Sequence, residues 1–105
     1  MKVCKFGGTS MANAEQIRKV CDIVTSDPKR RVVVVSAPGK RFDSDTKVTD
    51  MLIDCANLYL TNKAYEPALA AIVARFAEIA ADLALEDDVI RDIENNLRKI
   101  GRAHV

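Results

Sequence analysis

Two short segments of the chain carry the hydrophobic patterns of β-strands. Residues 2–6 alternate between polar and apolar side chains, as a strand with one covered face does. Residues 31–36 form a nearly continuous β-branched run, which predicts a strand buried on both faces of a sheet. Each segment is followed by turn-forming residues, which are Gly7 and Gly8 after the first and Ala37, Pro38 and Gly39 after the second.

A helical pattern lies between these two segments. Asn13 followed by Gln16 is typical of a capping box, and residues 26–28 end the pattern. A strand, an amphipathic helix and a buried strand form a βαβ unit, which predicts parallel strands joined by a right-handed crossover. The apolar stripe of the helix recurs at i, i+3, i+4 and i+7, at Ile17, Val20, Cys21 and Val24.

The remainder of the chain is predicted to be helical. We therefore predict an α/β fold in which residues 1–45 form the βαβ unit with its loops and residues 46–105 form three mostly amphipathic helices. Pro67 lies in the first turn of the second of these helices, where its missing N–H is harmless. The three apolar stripes are Val48, Met51, Leu52, Cys55 and Tyr59; Leu69, Ile72, Val73, Phe76, Ile79 and Leu83; and Val89, Ile90, Ile93, Leu97 and Ile100.

Two strands do not make a self-sufficient parallel sheet. The valines at positions 32–35 need cover on both faces and partners on both edges. We therefore expect the chain to pair with a second copy, as a homo-oligomer or an edge-strand dimer, or to be one part of a larger sheet.

Composition excludes several classes of protein. The 105 residues are 49% hydrophobic and 30% charged with a net charge of +1, which argues against a disordered tail, a membrane protein and a nucleic-acid-binding protein. Three widely spaced cysteines and a single histidine, His104, give no support for a metal site, and we expect the thiols to be buried. No signal peptide is evident, and a reducing cytoplasm is the predicted location.

The candidate chemistry lies where the two predicted strands end. Gly7 and Gly8 lie between a strand and a helix, so their N–H groups can approach a phosphate closely. A structural turn would explain two glycines nearly as well, and the loop matches neither a Walker A nor a G-x-G-x-x-G motif. Because parallel strands end at the same edge of a sheet, we expect both loops to face one cleft. Its expected charged lining is Lys5 and Lys40, with Arg41 as a further candidate.

Three segments in this order resemble the start of the aspartokinases, which are members of the amino-acid kinase family. They are residues 5–10 (Lys-Phe-Gly-Gly-Thr-Ser), 33–37 (Val-Val-Val-Ser-Ala) and 47–50 (Lys-Val-Thr-Asp), and the resemblance covers about residues 2–55. It implies the N-terminal part of an amino-acid kinase-type three-layer fold. The later catalytic segments and the ACT regulatory domains are not found, so we expect an N-terminal fragment that is inactive alone.

The resemblance also implies an activity. Such enzymes transfer the γ-phosphoryl group of ATP, bound with Mg²⁺, to the β-carboxylate of L-aspartate, giving 4-phospho-L-aspartate for the synthesis of lysine, threonine, methionine and diaminopimelate. By position, Lys5 would be catalytic and would neutralise charge on the transferring group. The other matched residues are Phe6, Gly7, Gly8 and Thr9, which with Lys5 would bind ATP, and Ser36 and Thr49, with Ser10 as a further candidate, which would bind aspartate.

Some alternatives stay open at the level of sequence. The loop at residues 40–47 is longer and more charged than in many relatives, so Thr46 competes with Thr49 for the aspartate contact. Patterns alone also allow Ser36 to end a strand and Thr49 to cap a helix. A related kinase acting on glutamate, carbamate or a nucleotide is the first alternative function. A non-catalytic interaction or regulatory module that retains a phosphate loop is the second.

Overall fold

The computed structural model describes residues 1–102 and confirms the α/β fold predicted from the sequence. His104 lies outside the described residues, as does the side chain of Ile100. The chain divides into two compact units, Met1–Thr49 and the residues from Asp50 onward. The elements are β1 (Lys2–Phe6), a 3₁₀ turn (Gly8–Met11), α1 (Ala14–Thr25), β2 (Arg30–Val35), α2 (Val48–Leu60), α3 (Glu66–Asp82) and α4 (Asp87–Arg102).

Strands β1 and β2 pair in parallel, as the βαβ pattern predicts. Cys4 lies opposite Val33 and Phe6 opposite Val35, so both strands end at the same edge of the sheet. A register shift after Lys2 is the one irregularity in the pairing. This arrangement brings the loops that follow the two strands to a common edge.

Helix α1 begins as its sequence predicts. Asn13 has an extended backbone, and its Oδ1 accepts a hydrogen bond from the N–H of Gln16 at 3.0 Å. This bond satisfies one of the N–H groups that a helix leaves unpaired in its first turn. Val20 is buried on the apolar stripe, whereas Cys21 is exposed. The expectation of three buried thiols is therefore wrong: Cys55 is buried, and Cys4 is half-buried.

The predicted burial of β2 on both faces is also wrong for this chain. The valines at positions 32–35 are each between 40% and 51% exposed. The physical reason is the size of the sheet, because two strands and one helix over residues 1–49 cannot cover both faces of a strand. The β-branched run indicates that this segment favours a strand. Whether the faces of that strand are buried depends on what packs against them.

The second unit is a helical cluster around an apolar core. Ile72 on α3 is fully buried, and the core continues onto α2 through Cys55 and onto α4 through Leu97. The predicted stripes of α2, α3 and α4 supply this core, with Met51, Leu52, Phe76 and Ile93 packed around it. Pro67 lies in the first turn of α3, as predicted.

Two of these helices end in the left-handed conformation. Asn62 after α2 has φ of 58°, and Ala84 after α3 has φ of 56°. In each case the following N–H reaches back to a carbonyl five residues earlier, as from Leu85 to Ala80 at 3.0 Å. No helix within the described residues is long and apolar enough to cross a bilayer.

Candidate functional site

The two loops at the edge of the sheet are joined by backbone hydrogen bonds. The N–H of Ser36 donates to the carbonyl of Phe6 at 3.0 Å, which extends the pairing of β1 and β2 by one step. The N–H of Gly39 then donates to the carbonyl of Gly8 at 2.8 Å. The loops therefore meet as the parallel topology predicts.

The contact between Gly8 and Gly39 requires Gly39 to lack a side chain and leaves little room for one on Gly8. A Cβ atom on Gly39 would lie 2.6 Å from the carbonyl carbon of Gly8 and 2.9 Å from the nitrogen of Thr9. A Cβ atom on Gly8 would lie 3.2 Å from the carbonyl oxygen of Ala37. Since all these neighbours are backbone atoms, the close approach of the loops depends on glycine at position 39, and a side chain at position 8 would be tightly packed.

The start of α2 is attached to the same pair of loops. The N–H of Val48 donates to the carbonyl of Pro38 at 3.0 Å, and Val48 is fully buried. This bond holds Thr49, the next residue, beside the second loop. Together the two loops and Thr49 at the start of α2 line an open cavity of about 370 Å³. It is lined by Gly8, Thr9, Ser36, Ala37, Pro38, Gly39, Lys40, Lys47 and Thr49.

Four of the residues that the sequence predicts for the site line this cavity. They are Gly8 and Thr9 from the first loop, Ser36 at the end of β2, and Thr49. Their convergence places predicted phosphate-binding and acceptor-binding residues around one space. Thr46, the alternative to Thr49, is exposed and does not line it.

The remaining predicted residues are Lys5, Phe6, Gly7 and Ser10, which lie beside the lining residues in the sequence. Lys5 and Phe6 are on β1, opposite Val34 and Val35, and Lys5 is exposed. Gly7 is exposed with an extended backbone, and Ser10 lies in the 3₁₀ turn. None of these four is among the residues that line the cavity. Their roles stay predictions.

The charged lining of the cavity differs from the expected one. Lys40 lines it as expected, but Lys5 and Arg41 do not, and Lys47 takes a place that the sequence did not assign to it. Arg41 instead binds Asp45, with Nε at 2.7 Å from Oδ2 and Nη2 at 3.0 Å from Oδ1. The hydrogen bonds from the Arg41 side chain and backbone hold the pKa of the Asp45 carboxyl well below its ordinary value. Asp45 is thus ionised and paired at neutral pH.

Among residues 1–102, no three His, Cys, Asp or Glu side chains lie together in a way that could hold a metal ion.

The chain matches the model of a known protein family. The model of the amino acid kinase family matches residues 1–94. The chain is 52% identical over 97 residues to aspartokinase 3 of Bacillus subtilis, an alignment that covers 92% of this chain and 21% of the relative. The chain thus spans about a fifth of the length of this curated relative.

Two solved structures share the fold described above. The aspartate kinase of Clostridium acetobutylicum superposes with a TM-score of 0.84 at 34% identity, over 95% of this chain and 23% of that one. Escherichia coli aspartokinase III, solved in complex with aspartate and ADP, gives a TM-score of 0.69 at 28% identity, over 92% of this chain and 20% of that one. Both matches extend over nearly all of the described residues.

Proposed function

Because this chain belongs to the amino acid kinase family, we propose that it carries the phosphate and acceptor loops of an ATP-dependent aspartate kinase. The observation that carries the proposal is the backbone contact between Gly8 and Gly39. It puts a glycine-rich loop and the hydroxyl-bearing residues Ser36 and Thr49 around one cavity. The relative solved with aspartate and ADP supports this pair of ligands.

The proposed reaction needs little covalent chemistry from the protein. An oxygen of the β-carboxylate of L-aspartate attacks the γ-phosphorus of ATP, the bond from that phosphorus to the β–γ bridging oxygen breaks, and ADP leaves. The attacking carboxyl has an ordinary pKa of about 3.9, so it is already ionised at neutral pH and no base has to remove a proton. Positioning and charge stabilisation are then the main contributions of the protein.

Each predicted residue has a role in this proposal. Lys5 neutralises charge on the transferring phosphoryl group, and Phe6, Gly7, Gly8 and Thr9 form the ATP-phosphate loop. Ser36 and Thr49 donate hydrogen bonds to aspartate, with Ser10 as a further donor. No atom lies within 4 Å of the Cβ position of Gly7, so the space beside this residue is open. We further propose that Mg²⁺ enters with ATP, held through phosphate oxygens, which is how Mg²⁺ commonly binds in phosphoryl-transfer sites.

The proposal extends to location and assembly. The described cysteines are free thiols, which fits a reducing cytoplasm. The exposed valines of β2 favour association through the sheet, either with a second copy or with further strands of the same protein. Sedimentation that gives a clean monomer at millimolar concentration would count against self-association.

The test is a titration of the 105-residue chain followed by amide chemical shifts. Mg²⁺–ATP should shift the amides of Gly7, Gly8 and Thr9, and L-aspartate should shift those of Ser36 and Thr49. Absence of any shift at millimolar ligand would refute the proposed binding. We also expect this chain alone to show no kinase turnover, and ATP consumption that depends on aspartate would contradict that expectation.

A further inference from the structure

We propose that Lys40 and Lys47 form an oxyanion-binding pair in the cavity and that the Arg41–Asp45 ion pair positions both lysines. The proposal rests on the proposed function only for the identity of the oxyanion. That group is a carboxylate of the acceptor or a phosphoryl oxygen of the nucleotide, since the proposed function brings both to this cavity.

The first support is the charge of the cavity lining. Both lysines line the space and are exposed to solvent. Within the described chain, no Asp or Glu side chain lines it, and neither ammonium group is within salt-bridge distance of a carboxylate. Two cations thus face one cavity without a countercharge from the protein, which favours an anionic ligand.

The second support is the way the backbone is fixed on either side of each lysine. Lys40 follows Gly39, whose N–H is bonded to the first loop, and Lys47 precedes Val48, whose N–H is bonded to Pro38. On their other sides the two lysines flank the segment closed by Arg41 and Asp45. Each lysine therefore lies between two fixed backbone points.

The ion pair that closes this segment is a multidentate one. The carboxylate of Asp45 accepts from Nε and Nη2 of Arg41 and from the backbone N–H of Arg41 at 2.9 Å. A second backbone bond runs from the N–H of Asp45 to the carbonyl of Phe42 at 3.0 Å. The planar guanidinium allows this two-point contact, which a lysine could not reproduce. The Asp45 charge is also neutralised by it, so the loop presents the charges of the two lysines.

The test compares three matched variants of the chain. Lys40→Gln and Lys47→Gln each remove one cation from the cavity, and Lys19→Gln removes one from an exposed position on α1 that does not line it. The probes are inorganic pyrophosphate and L-aspartate at constant ionic strength, followed through the amides of Gly8 and Ser36. A lost charge-assisted hydrogen bond should weaken affinity about five- to tenfold in each cavity variant. The control should stay within about twofold, as a distant surface charge does.

A fourth variant separates positioning from charge. Asp45→Asn removes a negative charge near the lysines, so Coulomb interaction alone predicts equal or tighter binding of an anion. If the ion pair positions Lys40 and Lys47, the same variant should instead weaken pyrophosphate binding at least threefold. Equal or tighter binding by Asp45→Asn would overturn the positioning role.

The outcomes distinguish this proposal from the proposed function. Weaker binding of L-aspartate, of pyrophosphate or of both in the two lysine variants supports the pair and identifies the oxyanion that it binds. Binding of L-aspartate and of pyrophosphate that is unchanged in both lysine variants overturns the lysine pair and leaves the proposed function standing. Lysine-dependent binding of pyrophosphate without any response to L-aspartate or Mg²⁺–ATP supports the pair and counts against an aspartate kinase. No response to any probe overturns both.

Discussion

Substitution of Gly39 by alanine should separate the two loops that form the cavity. The new Cβ atom would lie 2.6 Å from the carbonyl carbon of Gly8, 2.8 Å from its oxygen and 2.9 Å from the nitrogen of Thr9. Attractive contacts between carbon atoms lie at about 3.5–4.0 Å, so the overlap with the facing carbon is about 1 Å. A methyl group cannot rotate away, and the facing atoms are backbone. The loops must therefore move apart.

The expected cost combines two effects. Overpacking of a close contact costs about 1–3 kcal/mol. Stretching the hydrogen bond from Gly39 to Gly8, now 2.8 Å, removes about another 1 kcal/mol. We expect a total of at least about 2 kcal/mol, which is about a 30-fold change in an opening equilibrium.

Native-state hydrogen exchange measures this change at the contact itself. The amide at position 39 should exchange about 30-fold faster in Gly39→Ala than in the unsubstituted chain. Gly7→Ala is the matched control for stability, because no atom lies within 4 Å of its Cβ position and its φ of −77° suits any residue. It should change stability by less than about 0.5 kcal/mol. Equal exchange in both variants would refute the claim that this contact holds the loops together.

Three further predictions concern stability and pH. Ile72→Ala should cost about 3 kcal/mol because Ile72 is fully buried, whereas Ile53→Ala, at 57% exposed, should cost under about 1 kcal/mol; similar urea midpoints for the two would contradict this. Ala84→Gly should raise stability by about 0.5–1 kcal/mol because Ala84 has φ of 56°, and a lowered Tm would contradict this. The Arg41–Asp45 pair lowers the folded-state pKa of Asp45, so its stabilisation is complete above the ordinary value of 3.8 and is lost as the pH falls through the lower folded value. A ¹³C titration of the Asp45 carboxyl should have its midpoint below 3.8, and a midpoint at or above 3.8 would refute the ion pair.

The elements that the sequence predicts well are those with strong local signals. Helix α1 begins at Asn13 as predicted, because the N-cap bond to Gln16 forms within three residues of chain. The parallel pairing of β1 and β2 follows from the βαβ order, since the connecting segment is too long for a hairpin. The shared position of Gly8, Ser36 and Thr49 follows in turn from that pairing.

The errors have a common physical origin in contacts that no local pattern encodes. The exposure of the valines in β2 depends on what covers the sheet, and a β-branched run carries no information about that. The pairing of Arg41 with Asp45 arises in a loop without periodicity, where either residue could equally have faced the cavity. The sequence pattern places Lys47 only in the segment before α2, and the bond between Val48 and Pro38 brings it to the site.

The most direct test is kinase activity in a chimera of this chain and a complete relative. The chimera is Bacillus subtilis aspartokinase 3 in which the present chain replaces the matching 97-residue segment. We predict ATP consumption that depends on L-aspartate, with the acyl phosphate trapped by hydroxylamine, and loss of both in the Lys5→Met form of the chimera. A chimera with the circular dichroism and melting temperature of its parent but without aspartate-dependent turnover would contradict the account.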